Sequence, residues 1–100
     1  MSKYFPRQLL FRIRNEIPVD RVIAQHVGWP SKRREGQFCF LCPRCEEFVT
    51  ATNPKTNLAR CFRCEVNFNP IDIVMECANR DFVEAVHFLT TLLPSASDQS

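Results

Sequence analysis

The feature that most constrains this chain is a repeated cysteine motif. Cys42-Pro-Arg-Cys45 and Cys61-Phe-Arg-Cys64 have the same internal spacing and are separated by fifteen residues. A Cys-x-x-Cys turn brings two thiolates close enough to share one ion, and two such turns on neighbouring hairpins complete a four-thiolate shell. That shell has no open position for a substrate water, so we expect a structural zinc ion. Disulfide pairing or unrelated core cysteines are the weaker alternatives, because the spacing is duplicated.

The remaining two cysteines receive other assignments. Cys39 lies three residues before Cys42, so Cys39-Phe-Leu-Cys42 is a third possible metal-binding turn. We rank it lower because Cys39 lies between two phenylalanines in a predicted strand, and because Pro43-Arg44 mirrors the compact turn Phe62-Arg63. Cys77 lies on the apolar face of a predicted helix, where we expect it to pack as a small hydrophobic residue.

The length of the chain indicates a single small domain. With 100 residues, the core alone gives modest stability, so a metal that binds only the folded state supplies a large share of it. Residues 1–10 contain Lys3 and Arg7 and no uninterrupted apolar run, so we expect no signal peptide and a reducing, cytoplasmic location. No transmembrane span is predicted. We place the domain at residues 1–94 and expect residues 95–100 to form a disordered tail.

Basic residues are concentrated in the first third of the chain. The formal net charge is +2, and four thiolates with one Zn²⁺ add about −2, so the total charge says little about partners. Residues 1–34, however, contain eight Lys or Arg and only two acidic residues. This local excess favours an anionic partner.

Apolar spacing and capping residues predict four helices. The first begins near Pro6, and the second begins near Pro18 and stops at Gly28. Asn69, followed by Pro70, is predicted to cap the third helix. Asp81 and Glu84 form a capping pair for the last helix, which Pro94 ends.

Three short strands are predicted between the second and third helices. They cover residues 37–42, 48–53 and 58–62, and an Asn- and Pro-rich turn at 53–57 joins the last two. Residues 31–36 are interpreted as an exposed basic loop that leads into the first strand. The expected fold class is therefore α+β, a small antiparallel β-sheet of zinc-ribbon type with flanking helices and one structural zinc.

The order of these motifs resembles the zinc-binding domain of bacterial-type DNA primases. The resemblance spans about residues 5–93 and rests on Phe5-Pro6, Ile17–Val27, Cys42-Pro-x-Cys45, Cys61-Phe-x-Cys64, Ile71–Met75 and Phe82–Val86 with Leu89. It implies a small antiparallel sheet with flanking helices and a zinc-ribbon site at one end. It also implies a role in engaging single-stranded template DNA and in setting where primer synthesis begins, while a separate domain polymerises.

The chain departs from that family's pattern at three places. The family's ligands are usually three Cys and one His, and Cys45 stands where the His is expected; four thiolates still satisfy zinc. A Lys-Thr-Pro-Ser-Phe-like segment is replaced by the shorter, acidic Glu46-Glu47-Phe48. The Gly-rich stretch after the last cysteine is replaced by residues 65–69. The last two changes fall near surfaces expected to meet nucleic acid.

We do not expect this chain to be an enzyme on its own. Primer synthesis needs several carboxylates that converge on divalent metals, and the acidic residues here are scattered over a loop, helix caps and helix surfaces. There is no Gly-rich phosphate loop and no Ser/His/Asp or Cys/His arrangement. His26 and His87 lie on predicted helices and are assigned packing or surface roles.

The predicted function is that of a zinc- and DNA-binding module that resembles the template-recognition domain of primase. The expected partners are single-stranded template DNA and either a separate primase catalytic domain or a replication protein. Basic side chains and exposed aromatic rings would supply the contacts, through Lys32, Arg33, Arg34, Arg44, Lys55, Arg60, Phe62 and Arg63. The alternative role for the three arginines beside presumed ligands, Arg44, Arg60 and Arg63, is to offset thiolate charge.

Aromatic residues in the strands are the candidates for stacking on bases. They are Phe38, Phe40, Phe48, Phe62 and Phe68, and we expect one or two of the five to be exposed because a small sheet also needs aromatic rings in its core. The alternative function is a zinc-ribbon protein-interaction or regulatory module that kept the fold and lost template binding.

Overall fold

The computed structural model describes residues 5–93, in which helices flank two small antiparallel sheets. The helices are α1 (Arg7–Glu16), α2 (Val19–Arg21), which continues as a π-helical turn (Val22–His26), α3 (Pro70–Cys77) and α4 (Phe82–Thr90). The strands are β1 (Ser31–Arg34), β2 (Gln37–Phe40), β3 (Thr50–Asn53), β4 (Leu58–Cys61) and β5 (Val66–Phe68). One sheet has the order β1-β2 and the other β3-β4-β5. The predicted α+β zinc-ribbon class is confirmed.

The starts of the last two helices, α3 and α4, follow their predicted capping residues. Asn69 Oδ1 accepts the backbone N–H of Asp72, and the Asp72 carboxylate accepts the N–H of Asn69, so the start of α3 is a reciprocal capping box. Asp81 and Glu84 form the same pair at the start of α4. Gly28 has a φ of +72° just after the π-helical turn, as its predicted role as a stop requires. The predicted stop at Pro94 and the tail at 95–100 lie outside the described residues.

The interpretation of residues 31–36 as a loop is wrong. Ser31–Arg34 forms β1 and pairs with β2, and the two are joined by the two-residue turn Glu35-Gly36. Both turn residues have positive φ, 53° and 80°, which is the geometry of a type I′ hairpin. A run of three cations shows no apolar alternation, so the sequence pattern gave no strand signal.

The three-stranded sheet carries the second half of the cysteine motif. β3 and β4 pair from Thr50 opposite Cys61 to Asn53 opposite Leu58, and the predicted turn at 53–57 joins them. The strand β5 was not predicted, because Val66–Phe68 is too short to show a period. Along β4 the inward residues are Ala59 and Cys61, so the residues between and beside them form the outer face of the sheet.

One core joins the helices and both sheets. Its largest fully buried side chains include Phe40, Phe68, Ile13, Ile73 and Leu89, and the rings of Phe40 and Phe68 meet edge to face at 6.2 Å. These five residues come from two sheets and three helices. The core is therefore a single unit although the strands form two separate ladders.

Two buried polar side chains replace backbone hydrogen bonds where the elements meet. Thr50 Oγ1 accepts the N–H of Phe40 at 2.8 Å and donates to its C=O at 2.6 Å, so this hydroxyl links β2 to β3. Asn57 accepts the N–H of Val19 and donates to the C=O groups of Arg14 and Ile17. The β3–β4 turn is thereby fixed to the junction of α1 and α2.

Candidate metal centre

Four cysteine sulfurs lie together at one end of the three-stranded sheet. The thiols of Cys42, Cys45, Cys61 and Cys64 all lie within 4.8 Å of one another. The Sγ atoms of Cys42 and Cys64 are 3.8 Å apart, and those of Cys45 and Cys61 are 3.6 Å apart. Four sulfurs bound tetrahedrally at 2.3 Å from a zinc ion would be separated by about 3.8 Å. The four cysteines are thus positioned to bind one metal ion.

Each Cys-x-x-Cys motif folds into the same turn. The N–H of the residue after the second cysteine donates to the C=O of the first, from Glu46 to Cys42 at 2.9 Å and from Glu65 to Cys61 at 2.8 Å. Both glutamates have positive φ, 60° and 58°. In addition, the N–H of Arg44 points at the sulfur of Cys42 and the N–H of Cys64 at that of Cys61, each at 3.4 Å. These N–H groups stabilise thiolate charge.

Three of the clustered thiols, those of Cys45, Cys61 and Cys64, differ in pKa. Burial, reinforced by the neighbouring thiols, raises the pKa of Cys64 to about 12, and burial also raises the pKa of Cys45. Burial acts in the same direction on Cys61, but hydrogen bonds from the Cys64 N–H and from the thiol of Cys42 outweigh it and lower the pKa of Cys61 to about 7. A dication must displace the remaining protons, so zinc binding releases protons and weakens as the pH falls.

Arg44 links the first cysteine turn to α3. Its guanidinium makes a two-point contact with the carboxylate of Glu76, with distances of 3.1 and 2.7 Å, and lies 5.6 Å from the centre of the Phe68 ring. The hydrogen bond to Glu76 raises the pKa of Arg44. This ion pair ties the first cysteine turn to α3 and leaves the Arg44 side chain half-exposed.

The other two cysteines lie apart from this group. Cys39 is buried in β2, opposite Lys32, and within residues 5–93 the set of clustered candidate ligands does not include it. Cys77 lies at the end of α3, half-buried against the core, and burial raises its pKa to about 12. Its thiol is therefore neutral at ordinary pH, as expected for a packing residue.

The outer face of the three-stranded sheet is open and carries an aromatic residue. Phe62 is 53% exposed and Val49 is 50% exposed; the two are cross-strand neighbours, because the N–H of Phe62 donates to the C=O of Val49. The guanidinium of Arg60 lies 5.8 Å from the centre of the Phe62 ring and also reaches Asn67 Oδ1 at 3.4 Å. Arg60 projects from β4, whose register is fixed on each side, and Phe62 follows directly in the second cysteine turn.

Two adjoining grooves extend this open face. One, of about 490 Å³, is lined by residues that include Leu58, Arg60, Phe62 and Asn67. The other, of about 380 Å³, lies between the β1–β2 hairpin and the α1–α2 junction, and Arg33 is one of its lining residues. They share Gln37, Thr52 and Pro54, so they form a continuous surface, which we call the sheet track. Arg33 lines one of its two grooves and Arg60 lines the other.

The basic and aromatic residues singled out in the sequence divide between different surfaces. Arg33, Arg60 and Phe62 line the sheet track, Lys55 is exposed in the β3–β4 turn, and Arg63 is exposed in the second cysteine turn. Lys32 alternates with Arg33, so its side chain lies on the opposite face of β1, with its Nζ 4.4 Å from the centre of the Phe48 ring; Arg34 shares that face. These residues therefore do not line a single groove.

Of the five phenylalanines proposed for stacking, Phe62 is the exposed one. Phe48 is half-buried, and Phe38, Phe40 and Phe68 belong to the core. The prediction that one or two would be exposed is confirmed. Sequence reasoning missed the support given by Asn57 and Thr50, since a turn Asn and a strand Thr look ordinary in the sequence. Glu46 and Glu65 each follow a cysteine pair directly, and this equivalence in the sequence could have indicated that the two cysteine turns share one backbone geometry.

The fold and the four clustered thiols define a zinc ribbon with flanking helices. A comparison with family models gives a match to the CHC2 zinc finger, the zinc ribbon of DnaG primase, over residues 5–99. The chain belongs to this family, which binds one zinc ion, and the resemblance seen in the sequence is confirmed. A comparison with curated proteins found no match. Within residues 5–93, no helix is long and apolar enough to cross a membrane.

Proposed function

We propose that this protein is a non-catalytic template-binding module of the primase type, in which Cys42, Cys45, Cys61 and Cys64 hold one structural zinc ion. The sulfur spacing supports this ligand set, as does the equivalence of the two turns around it. Cys45 takes the position where the family has histidine, so the shell is all thiolate. Zinc supplies folding free energy here, because it fixes two turns at the end of a small sheet.

Metal analysis of two cysteine variants tests the ligand assignment. Cys64→Ser removes a proposed ligand and should abolish stoichiometric zinc binding, whereas Cys39→Ser changes a buried cysteine outside the cluster and should retain it. Treating the parent protein with a chelator at neutral pH should unfold the three-stranded sheet. Full zinc content in Cys64→Ser would contradict the assignment.

The observation that carries the DNA-binding proposal is the exposed Phe62 beside Arg60 on the open sheet face. An exposed ring next to a cation is the pairing that single-strand binders use, with the ring stacking on a base and the cation meeting a phosphate. The sheet track continues this pair across Gln37 and Thr52 to Arg33. We infer that single-stranded DNA lies along this track, and that Lys55 and Arg63 attract its backbone from either side.

Anisotropy titrations with a labelled oligodeoxythymidylate at several salt concentrations test this proposal. Phe62→Ala should weaken binding by about 1–3 kcal/mol, the value of one base stacked on an aromatic ring. Arg60→Gln should also lower the slope of log K against log salt by about 0.7, the contribution of one phosphate contact. Phe11→Ala is the matched control, because Phe11 is 59% exposed on α1 and does not line the track.

The outcomes separate template binding from the alternative function. Equal affinities for Phe62→Ala and the parent protein would remove the sheet track from the proposal. Absence of salt-dependent binding by the parent itself would favour the interaction module, since the exposed acidic pair Glu46-Glu47 would then reflect lost template contact. We further propose that the partner in primer synthesis is a separate catalytic domain; restoration of primer synthesis when such a domain is added would support this.

A further inference from the structure

A different surface, the free edge of β1, has the features of a peptide-binding site. The strand Ser31–Arg34 is exposed along three of its four residues and pairs on one side only, with β2. Within residues 5–93 no strand lies along its other side. A free edge presents unpaired N–H and C=O groups that can add another strand.

The register shows which main-chain groups face outward. The hairpin closes with Arg34 opposite Gln37 across a two-residue turn, so that pair exchanges hydrogen bonds and the pairs alternate from there. Phe40, opposite Ser31, turns its N–H and C=O away from β1 and towards Thr50 Oγ1. Ser31 and Arg33 therefore turn their own N–H and C=O groups away from β2, to the free edge.

The side chains along this edge determine what can bind there. Lys32 and Arg34 lie on one face of β1, and Arg33 lies on the other, with its guanidinium 5.6 Å from the centre of the buried Phe38 ring. A second copy of this chain is a poor occupant, because pairing β1 with another β1 would place three cations of one strand against three of the other. An acidic strand would instead place negative charges opposite these three cations, which stabilises the pairing.

We propose that the free edge of β1 binds an extended acidic segment of a partner protein by strand addition. The main-chain groups of Ser31 and Arg33 form the ladder, and acidic side chains at alternate positions of the segment meet Lys32 and Arg34. The positions between them lie on the Arg33 and Phe38 face, where apolar side chains fit. This inference does not rest on the DNA-binding proposal, since it uses the main-chain groups at the edge of β1, whereas the DNA proposal uses side chains along the sheet track; the two sites share Arg33.

The test uses a short fluorescent peptide of alternating Glu and Val, titrated into the zinc-loaded protein. Ser31→Pro is the informative variant: it keeps all three cations and every hydrogen bond to β2, because the N–H it removes faces outward, and its ring blocks the edge. Ser31→Ala retains the N–H and is the matched control. We expect Ser31→Pro to weaken peptide binding about tenfold or more, and Ser31→Ala to bind like the parent protein.

Two peptide controls keep the test valid if Ser31→Pro fails to fold. The same Glu-Val sequence with N-methyl groups on the amides that face β1 retains the charge but cannot form a ladder, and it should not bind. A Lys-Val peptide should also not bind. Amide resonances of Ser31 and Arg33 should shift on titration with the Glu-Val peptide. Binding of the methylated peptide at parental affinity would overturn strand addition, and absence of binding by the Glu-Val peptide would show that the cations only protect the edge from aggregation.

DNA titrations of Ser31→Pro distinguish this inference from the proposed function. The variant should bind oligodeoxythymidylate like the parent protein, because Ser31 does not line the sheet track. Loss of peptide binding with DNA binding retained supports both proposals. A parent protein that binds the peptide and no DNA supports the edge site alone.

Discussion

Asn57 should be one of the residues on which the stability of this fold most depends. Its side chain is 8% exposed and uses both ends of the amide: Oδ1 accepts the N–H of Val19 at 2.8 Å, and Nδ2 donates to the C=O groups of Arg14 and Ile17, both at 2.7 Å. The two carbonyls lie at the end of α1, and the N–H opens α2. In addition, Asn57 has a φ of 57°, a conformation that Asn tolerates better than Ala does.

The expected cost of Asn57→Ala is about 3–5 kcal/mol of unfolding free energy. Each of the three hydrogen bonds contributes about 0.5–1.5 kcal/mol. Their loss should cost about 2–4 kcal/mol in total, because the backbone groups left without a partner are largely buried. Placing alanine at positive φ adds about 1 kcal/mol. Asn57→Gly removes this second contribution and should therefore cost about 2–4 kcal/mol. For a domain of this size, either loss lowers Tm by more than about 8 °C.

Urea unfolding with excess zinc, followed by circular dichroism, measures these differences while the contribution of the metal is held constant. Asn67→Ala is the control: Asn67 is exposed, its one side-chain hydrogen bond, to Arg60, is long at 3.4 Å, and its loss should cost less than about 0.5 kcal/mol. A cost below about 1 kcal/mol for Asn57→Ala would refute the claim that this side chain joins the β3–β4 turn to the helices.

Three further predictions concern single sites. Thr50→Val should lower the free energy of unfolding by about 1–3 kcal/mol, because it leaves the buried N–H and C=O of Phe40 unpaired. Thr50→Ser retains the hydroxyl and should lower it less. Urea unfolding compares the two variants, and equal losses would contradict the bridging role. Glu65→Gly should raise stability by about 1 kcal/mol by relieving positive φ after the second cysteine turn; a lower Tm would contradict this. Cys77, whose burial raises its pKa to about 12, should be alkylated at least about tenfold more slowly at pH 8 than an exposed thiol, as read by peptide mass mapping. A rate typical of a free thiol would show that the site opens.

The cluster of four cysteines was the most predictable part of the molecule. Two cysteines three residues apart are close in any compact turn, so the duplicated motif indicates a shared ion before any tertiary contact is known. The starts of the last two helices were equally predictable, because each depends on residues within one turn. The pairs Asn69 with Asp72 and Asp81 with Glu84 bind backbone N–H groups that have no partner inside the helix. The fold then brings the two cysteine turns together, so that all four sulfurs lie within 4.8 Å of one another.

The basic segment shows where local reasoning failed. Its cations indicated a loop, because strand prediction relies on alternation between buried and exposed side chains, and β1 has little buried surface. The strand exists because the two-residue turn Glu35-Gly36 returns the chain onto itself and because β2 is anchored in the core by Phe38 and Phe40. That pairing also decides which face each cation occupies.

The sequence by itself determined the capped helices and a zinc-ribbon fold, because these depend on groups a few residues apart. Tertiary structure alone decided that Asn57 joins a turn to two helices about 40 residues away in the chain, that Thr50 links the two sheets, and that Phe62 is exposed while Phe68 is buried. Such roles depend on which polar and apolar groups the folded chain brings together across long sequence separations. No local sequence pattern indicates these contacts, since each of these residues is of a type that is common in turns or strands.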